Sequence, residues 1–249
     1  MNACFKHAQR ANVAVILTVS SFSVALVFAQ APPGEPAASS PTSPSVPGFA
    51  EPLDDRIFGV IPNYLTVENP QEHVAPLTVK EKFELFAKET VDPFTFASSA
   101  AGAALSQIDN DNPKYGHGAG PYAERFGAAM ADVTTQNFFS DAVLASWLHE
   151  DPRYFRKGPG SPVVTRIFYA MSRVVITRRD SGKDAFNFSG ILGMGMGIAL
   201  SNAYYPPASI NGPEMGSRVG TSLISSALGN LLPEFWPDFK AKLARYRHL

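Results

Sequence analysis

Beyond Ile57 apolar residues recur at three- and four-residue intervals, and the residues between them signal helix starts and stops. Thr78-Val79-Lys80-Glu81 has the capping-box form, and Phe83, Leu85 and Phe86 behind it predict a first helix ending near Asp92-Pro93. Phe94 to Ile108, rich in alanine, serine and glycine, predicts a second, closely packed helix. Asp109 to Gly120 reads as a loop, and Pro121 opens a long, kinked third helix that closes at Asp151-Pro152. Ser161-Pro162 opens the clearest amphipathic element: Val164, Ile167, Phe168, Met171, Val174 and Val175 share one stripe, with Arg166 and Arg173 off it. Phe188 to Ala203 is apolar on every side. Pro213 starts a further helix through Leu231, and Pro237 to Arg247 makes a last one, with Asp238 early and basic residues late as the helix dipole favours. Strand-like alternation is nearly absent. The expected fold is all-α, a compact bundle of about six to seven helices.

Small residues add a packing constraint. Gly193, Gly197 and Ser201 are spaced by four, as are Gly216 and Gly220, which lets two helix backbones approach closely. In lipid that spacing is a dimerisation pattern; in water it marks thin helices at the centre of a bundle. The interval Ala185 to Pro213 carries no charge, which raises a membrane reading. Asn187, Asn202 and the glycines keep its hydrophobicity modest, and the mean hydropathy of the chain is −0.04. The expectation is a buried core helix, with a membrane-embedded or interfacial helix as the alternatives.

The N-terminus predicts export. Lys6 and Arg10 precede an uncharged run from Val13 to Phe28, and Val27-Phe28-Ala29 places cleavage after Ala29. A retained anchor is the rival, because the run lies at the bottom of the spanning range of roughly 17 to 25 residues. Gln30 to about Asp55 is rich in proline, alanine and serine, too poor in apolar surface to offset its ordering entropy, and predicts a disordered tether. The organisation is thus a signal peptide over 1–29, a linker over 30–56 and a helical domain over 57–249, in a periplasm or cell envelope. Cleavage removes Cys4, the only cysteine, and with it any disulfide or thiolate metal site. It also leaves 19 basic against 22 acidic residues, a net −3 that argues against a nucleic-acid partner.

Against that acidic background, Asp151 to Asp184 holds eight basic and three acidic residues. Arg153, Arg156, Arg173, Arg178 and Arg179 are candidates for an anion site, since arginine forks match phosphate and carboxylate oxygens. The membrane surface, an anionic lipid or a glycan would be the partner. The plainer alternative is a solvated face with ion pairs to Asp151, Asp180 and Asp184. His149 and Glu150 are weak catalytic candidates, an imidazole beside carboxylates at a helix end. They form no metal motif, because Arg153 stands where HExxH needs its second histidine. Asp109-Asn110-Asp111-Asn112 starts like a calcium loop, but Pro113 and Lys114 take the third ligand and glycine places. No cofactor fingerprint is present, and Gly116 to Gly120 matches neither phosphate-loop nor dinucleotide patterns.

The blocks His149 to Arg156, Arg178 to Gly182, Phe186 to Ser189 and Asn202 to Pro206 resemble those of uncharacterised exported bacterial proteins. The resemblance implies export and a helical domain, and assigns no residue a role. The expected function is a non-enzymatic, envelope-associated binding or structural module. The alternatives are a binder of anionic lipid or glycan through the arginines, or a hydrolase using His149.

Overall fold

The computed structural model describes residues 56–68, 74–108, 110 and 113–246. The predicted signal peptide and nearly all of the linker lie outside the described residues. Helix α1 (Val79–Thr90) starts on the anticipated capping box: the Thr78 hydroxyl accepts from the Glu81 amide, and the Glu81 carboxylate accepts from the Thr78 amide at 2.7 Å. Helix α2 (Pro93–Ile108) packs along α3 (Ala119–Asn137). Helix α3 runs without a break into a π-helical segment (Phe138–Leu144) and then α4 (Ala145–Leu148). The π segment lies within the long third helix, and the run stops at His149, ahead of the expected Asp151-Pro152, where the backbone adopts left-handed φ of 56°.

After α4 come α5 (Val163–Ser172), α6 (Phe188–Ser201), α7 (Gly212–Gly229) and α8 (Leu231–Tyr246). Helix α8 begins earlier than its sequence predicts and carries Pro237 inside.

The protein is mostly helical, and the all-α expectation needs one correction: three small sheets tie the helices together. Strands β1 (Arg56–Ile57) and β2 (Ile61–Pro62) form a short antiparallel pair, and β3 (Thr66–Val67) lies parallel to β5 (Tyr154–Phe155). Strand β4 (Glu150–Asp151) pairs with β6 (Ile176–Arg179), which pairs in turn with β7 (Asp184–Phe186). The β6–β7 hairpin exists because the chain reverses through Asp180-Ser181-Gly182, where Gly182 takes φ of 82° at no steric cost.

The interior is charged. Lys82, Arg125, Glu150 and Glu234 are each at most 1% exposed. Burial of an unpaired charge costs several kcal/mol, so each is met by partners. Lys82 Nζ donates to Asp180 at 2.8 Å and to the Ala145 carbonyl, joining α1 to the hairpin turn and α4. Arg125 donates to Ser106 Oγ, Asn110 Oδ1 and the carbonyls of Pro113 and Gly116, gathering the loop ahead of α3 around one guanidinium. The Glu234 carboxylate accepts from the Tyr154 hydroxyl, the amides of Lys157 and Gly158, and Arg166 Nε at 2.7 Å. Arg156 and Arg166 also bond the Glu234 carbonyl and Asp238, so α8 is docked through two acids one turn apart.

Charged residues inside leave apolar ones outside. In α5 the inward face carries Arg166 and Ala170, while Val163, Val164, Phe168 and Met171 are exposed, Phe168 at 70%. The sequence stripe is real, and it faces away from the core, the reverse of a surface helix in an ordinary globular domain. Helix α6 repeats the arrangement. Ser189, Gly193, Gly197 and Ser201 are buried, whereas Phe188, Leu192, Met196 and Leu200, also spaced by four, are exposed. The uncharged helix expected in the core is thus buried on one face only, where Met194 joins the small residues. A Cβ at Gly193 would lie 2.6 Å from the Ser140 amide nitrogen, so glycine there sets how closely α6 meets the π segment.

Candidate functional site

A cavity of about 420 Å³ opens where α1, the π segment, the α5–β6 connection and the start of α6 meet. That lies within the usual range for small-molecule sites, roughly 300 to 1,000 Å³. Glu89, at the end of α1, and Asp141, in the π segment, both line it. Glu89 is buried, and its carboxyl is held well above the ordinary range first by that burial and then by the neighbouring Asp141. Burial likewise pushes Asp141 up to about 6. The polar partners of the pair are uncharged: the Asn137 side-chain amide donates to Glu89 at 3.3 Å, and the Ser140 hydroxyl donates to Asp141 at 2.8 Å. Among the described residues no ion pair joins either acid to a cation.

Arginines from elsewhere in the fold line the same cavity. Arg153, Arg173 and Arg178 contribute to it, and the last two also border an open groove of about 460 Å³ with Lys157, Tyr169 and Phe155. Arg173 bonds both Asp184 oxygens, at 2.9 and 3.0 Å, through its terminal nitrogens and lies over the Tyr169 ring. Its Nε is buried with no hydrogen-bond partner. Arg178 donates to the Gly182 carbonyl and stacks over Phe155 at 4.5 Å, and Lys157 sits over the Tyr169 ring.

The five sequence-predicted arginines therefore do not converge on one cavity. Arg153 is tied to Asp151 through its Nε, a terminal nitrogen and its backbone amide. Arg156 is buried, and its guanidinium is occupied by the Glu234 carbonyl and Asp238. Arg179 is exposed on β6, with its amide bonded to the Lys183 carbonyl. Asp151 and Asp184 do act as ion-pair partners of the cluster, whereas Asp180 is taken by Lys82.

His149 is exposed, 3.9 Å from Asp180, and lines none of the cavities described. Glu150 is buried with its carboxylate on the Ser189 amide at 2.9 Å, an acid placed at the N-terminus of α6. Of the calcium-like run only Asn110 is described, and its side chain accepts from Gly116 and Arg125.

Compared with known proteins, the chain matches no family model, no curated protein and no solved structure. Neither acid of the cavity stands out in the sequence as a catalytic motif. The legible signal is Asp141 itself, a carboxylate interrupting the apolar run from Phe138 to Leu144.

Proposed function

We propose that the protein is an exported, envelope-associated, non-enzymatic binding module whose apolar outer faces rest on an anionic membrane surface. The observation that carries this reading is the reversed polarity of α5, with Arg166 inward and Val163, Val164, Phe168 and Met171 outward. Exposed apolar patches of this kind mark interaction surfaces. The patch continues through Val175 into Phe186 and Phe188, whose rings pack 4.8 Å apart, because the Asn187 amide bonds the Val175 carbonyl and holds these segments together.

Basic groups are also available: Lys157 and Arg178 line the groove, and Arg179 and Lys183 are exposed on the hairpin. Apolar side chains together with a cationic set suit insertion into the headgroup region of an acidic bilayer. Among the described residues no helix is long and apolar enough to cross a membrane, and surface contact requires none.

Flotation of the mature protein with vesicles of phosphatidylglycerol and phosphatidylcholine tests this. Binding to acidic vesicles that weakens as salt rises is expected, together with about a tenfold loss in Phe168→Ser, in keeping with removal of one buried aromatic side chain. Equal recovery with acidic and purely neutral vesicles would overturn the anionic-surface reading.

A further inference from the structure

We infer that the groove lined by Phe155 and Tyr169 is a phosphate-binding site, in which Lys157 Nζ and the terminal nitrogens of Arg178 donate to phosphate oxygens. The phosphate may belong to a lipid headgroup or be free in solution. In its lipid form the inference rests on the membrane reading above; in its free form it stands alone.

The aromatic residues come first. Phe155 is buried, and the Tyr169 hydroxyl donates to its carbonyl at 2.8 Å, so β5 and α5 hold the two in a fixed relation. Cations are laid on both rings. Arg178 lies 4.5 Å from the centre of Phe155, while Lys157 Nζ lies 5.0 Å and Arg173 4.5 Å from that of Tyr169. The charges of Lys157 and Arg173 are therefore less than about 10 Å apart, close to the screening length of roughly 8 Å at physiological salt. Burial raises the Tyr169 hydroxyl, while Arg173 and Arg178 both pull it down, so Arg178 acts on the same ring. Lys157, Arg173 and Arg178 stand against Asp184 alone in this lining, an excess of two positive charges.

The second observation is that two of these cations are unspent. Arg173 gives both terminal nitrogens to Asp184, so it lends the groove charge and no free donor. Lys157 and Arg178 form no ion pair among the described residues. Arg178 spends its Nε on the Gly182 carbonyl, and this bond with the stacking on Phe155 fixes the guanidinium plane. Its terminal nitrogens reach solvent without a partner among the described residues, as does Lys157 Nζ. Two nitrogens of one guanidinium match two oxygens of a phosphate, and an ammonium takes a third, which a carboxylate lacks.

Isothermal titration of the full mature protein without vesicles, at fixed ionic strength in chloride, is the test. The probes are inorganic phosphate and glycerophosphoglycerol, a headgroup without acyl chains. One of them should saturate a single site with Kd of about 1 mM or tighter. Lys157→Gln and Arg178→Gln should each weaken it about tenfold, and Arg179→Gln, which removes the same charge outside the groove, less than twofold. Tighter binding of glycerophosphoglycerol assigns the site to lipid, and tighter binding of inorganic phosphate to the free anion. Absence of saturable binding by both probes overturns the inference, as does an equal loss in Arg178→Gln and Arg179→Gln, the mark of a diffuse field. Should the groove variants fail to fold, resonance shifts in the unmutated protein decide. Changes at the Arg178 and Lys157 side chains on adding the tighter probe support the site, and changes confined to other regions refute it. Vesicle flotation keeps the two readings apart. A protein that floats on acidic vesicles but binds neither probe loses the groove and keeps the membrane contact, and the converse result does the opposite.

Discussion

Asp141 stabilises nothing by being charged where it is. Its carboxyl is raised to about 6 in the folded chain against an ordinary value near 4, so the native state holds this proton more tightly than the unfolded state does. By linkage, stability then falls as pH rises through that window and stays lower above it. Glu89 acts in the same direction. Asp92 and Asp238, held low by hydrogen bonds from Arg56 and from Arg166 and Arg156 that outweigh partial burial, act oppositely and lose their contribution as pH falls. Asp141→Asn should therefore gain melting temperature relative to the parent between pH 4 and 7 by about 2–4 °C, with little difference at the acid end. Thermal melts at stepped pH check this, and a gap that shrinks with rising pH would contradict it.

At the scale of elements, the contact between α6 and the π segment holds Asp141 in the cavity. Gly193 faces Ser140 so closely that any Cβ must move one backbone off the other, while at Gly197 the nearest neighbour, Gln136, would stand 3.3 Å away. Gly193→Ala should cost about 1–3 kcal/mol, the usual range for overpacking, and Gly197→Ala clearly less, as denaturant titration of both would measure. A smaller loss at Gly193 than at Gly197 would mean the helices are looser than described. The helices themselves were legible because their ends are written in local chemistry: Thr78 with Glu81, Pro93, Pro162 and Pro213 all sit at or next to observed starts. The small-residue spacing of α6 likewise announced a close approach. The β6–β7 hairpin was not legible, since Ile176-Thr177-Arg178-Arg179 is short and does not alternate. Nor was the cavity: Glu89 and Asp141 are distant in sequence and meet only because a π segment places Asp141 beside the end of α1. Periodicity located the α5 stripe, but it cannot tell which medium covers a stripe. That took the partners of Arg166, which pull the opposite face inward.

For the whole molecule, the charged interior and apolar exterior carry a calorimetric consequence. The heat-capacity increase on unfolding comes from hydrating apolar surface, offset by polar surface. Here several of the largest fully buried side chains are Arg125, Lys82, Glu150 and Glu234, while Phe168, Phe186, Phe188, Leu192 and Leu200 are already wet in the folded state. Unfolding in plain buffer should thus show a heat-capacity change below the usual figure of about 12–15 cal/mol/K per ordered residue, and a correspondingly flat stability curve. Acidic vesicles that cover the outer faces should steepen that curve, since hydrocarbon withheld from water in the bound protein is released to it on unfolding. Scanning calorimetry with and without vesicles reads this directly, and an ordinary value in buffer would mean that these faces are covered by something else, another copy of the chain being the first to look for.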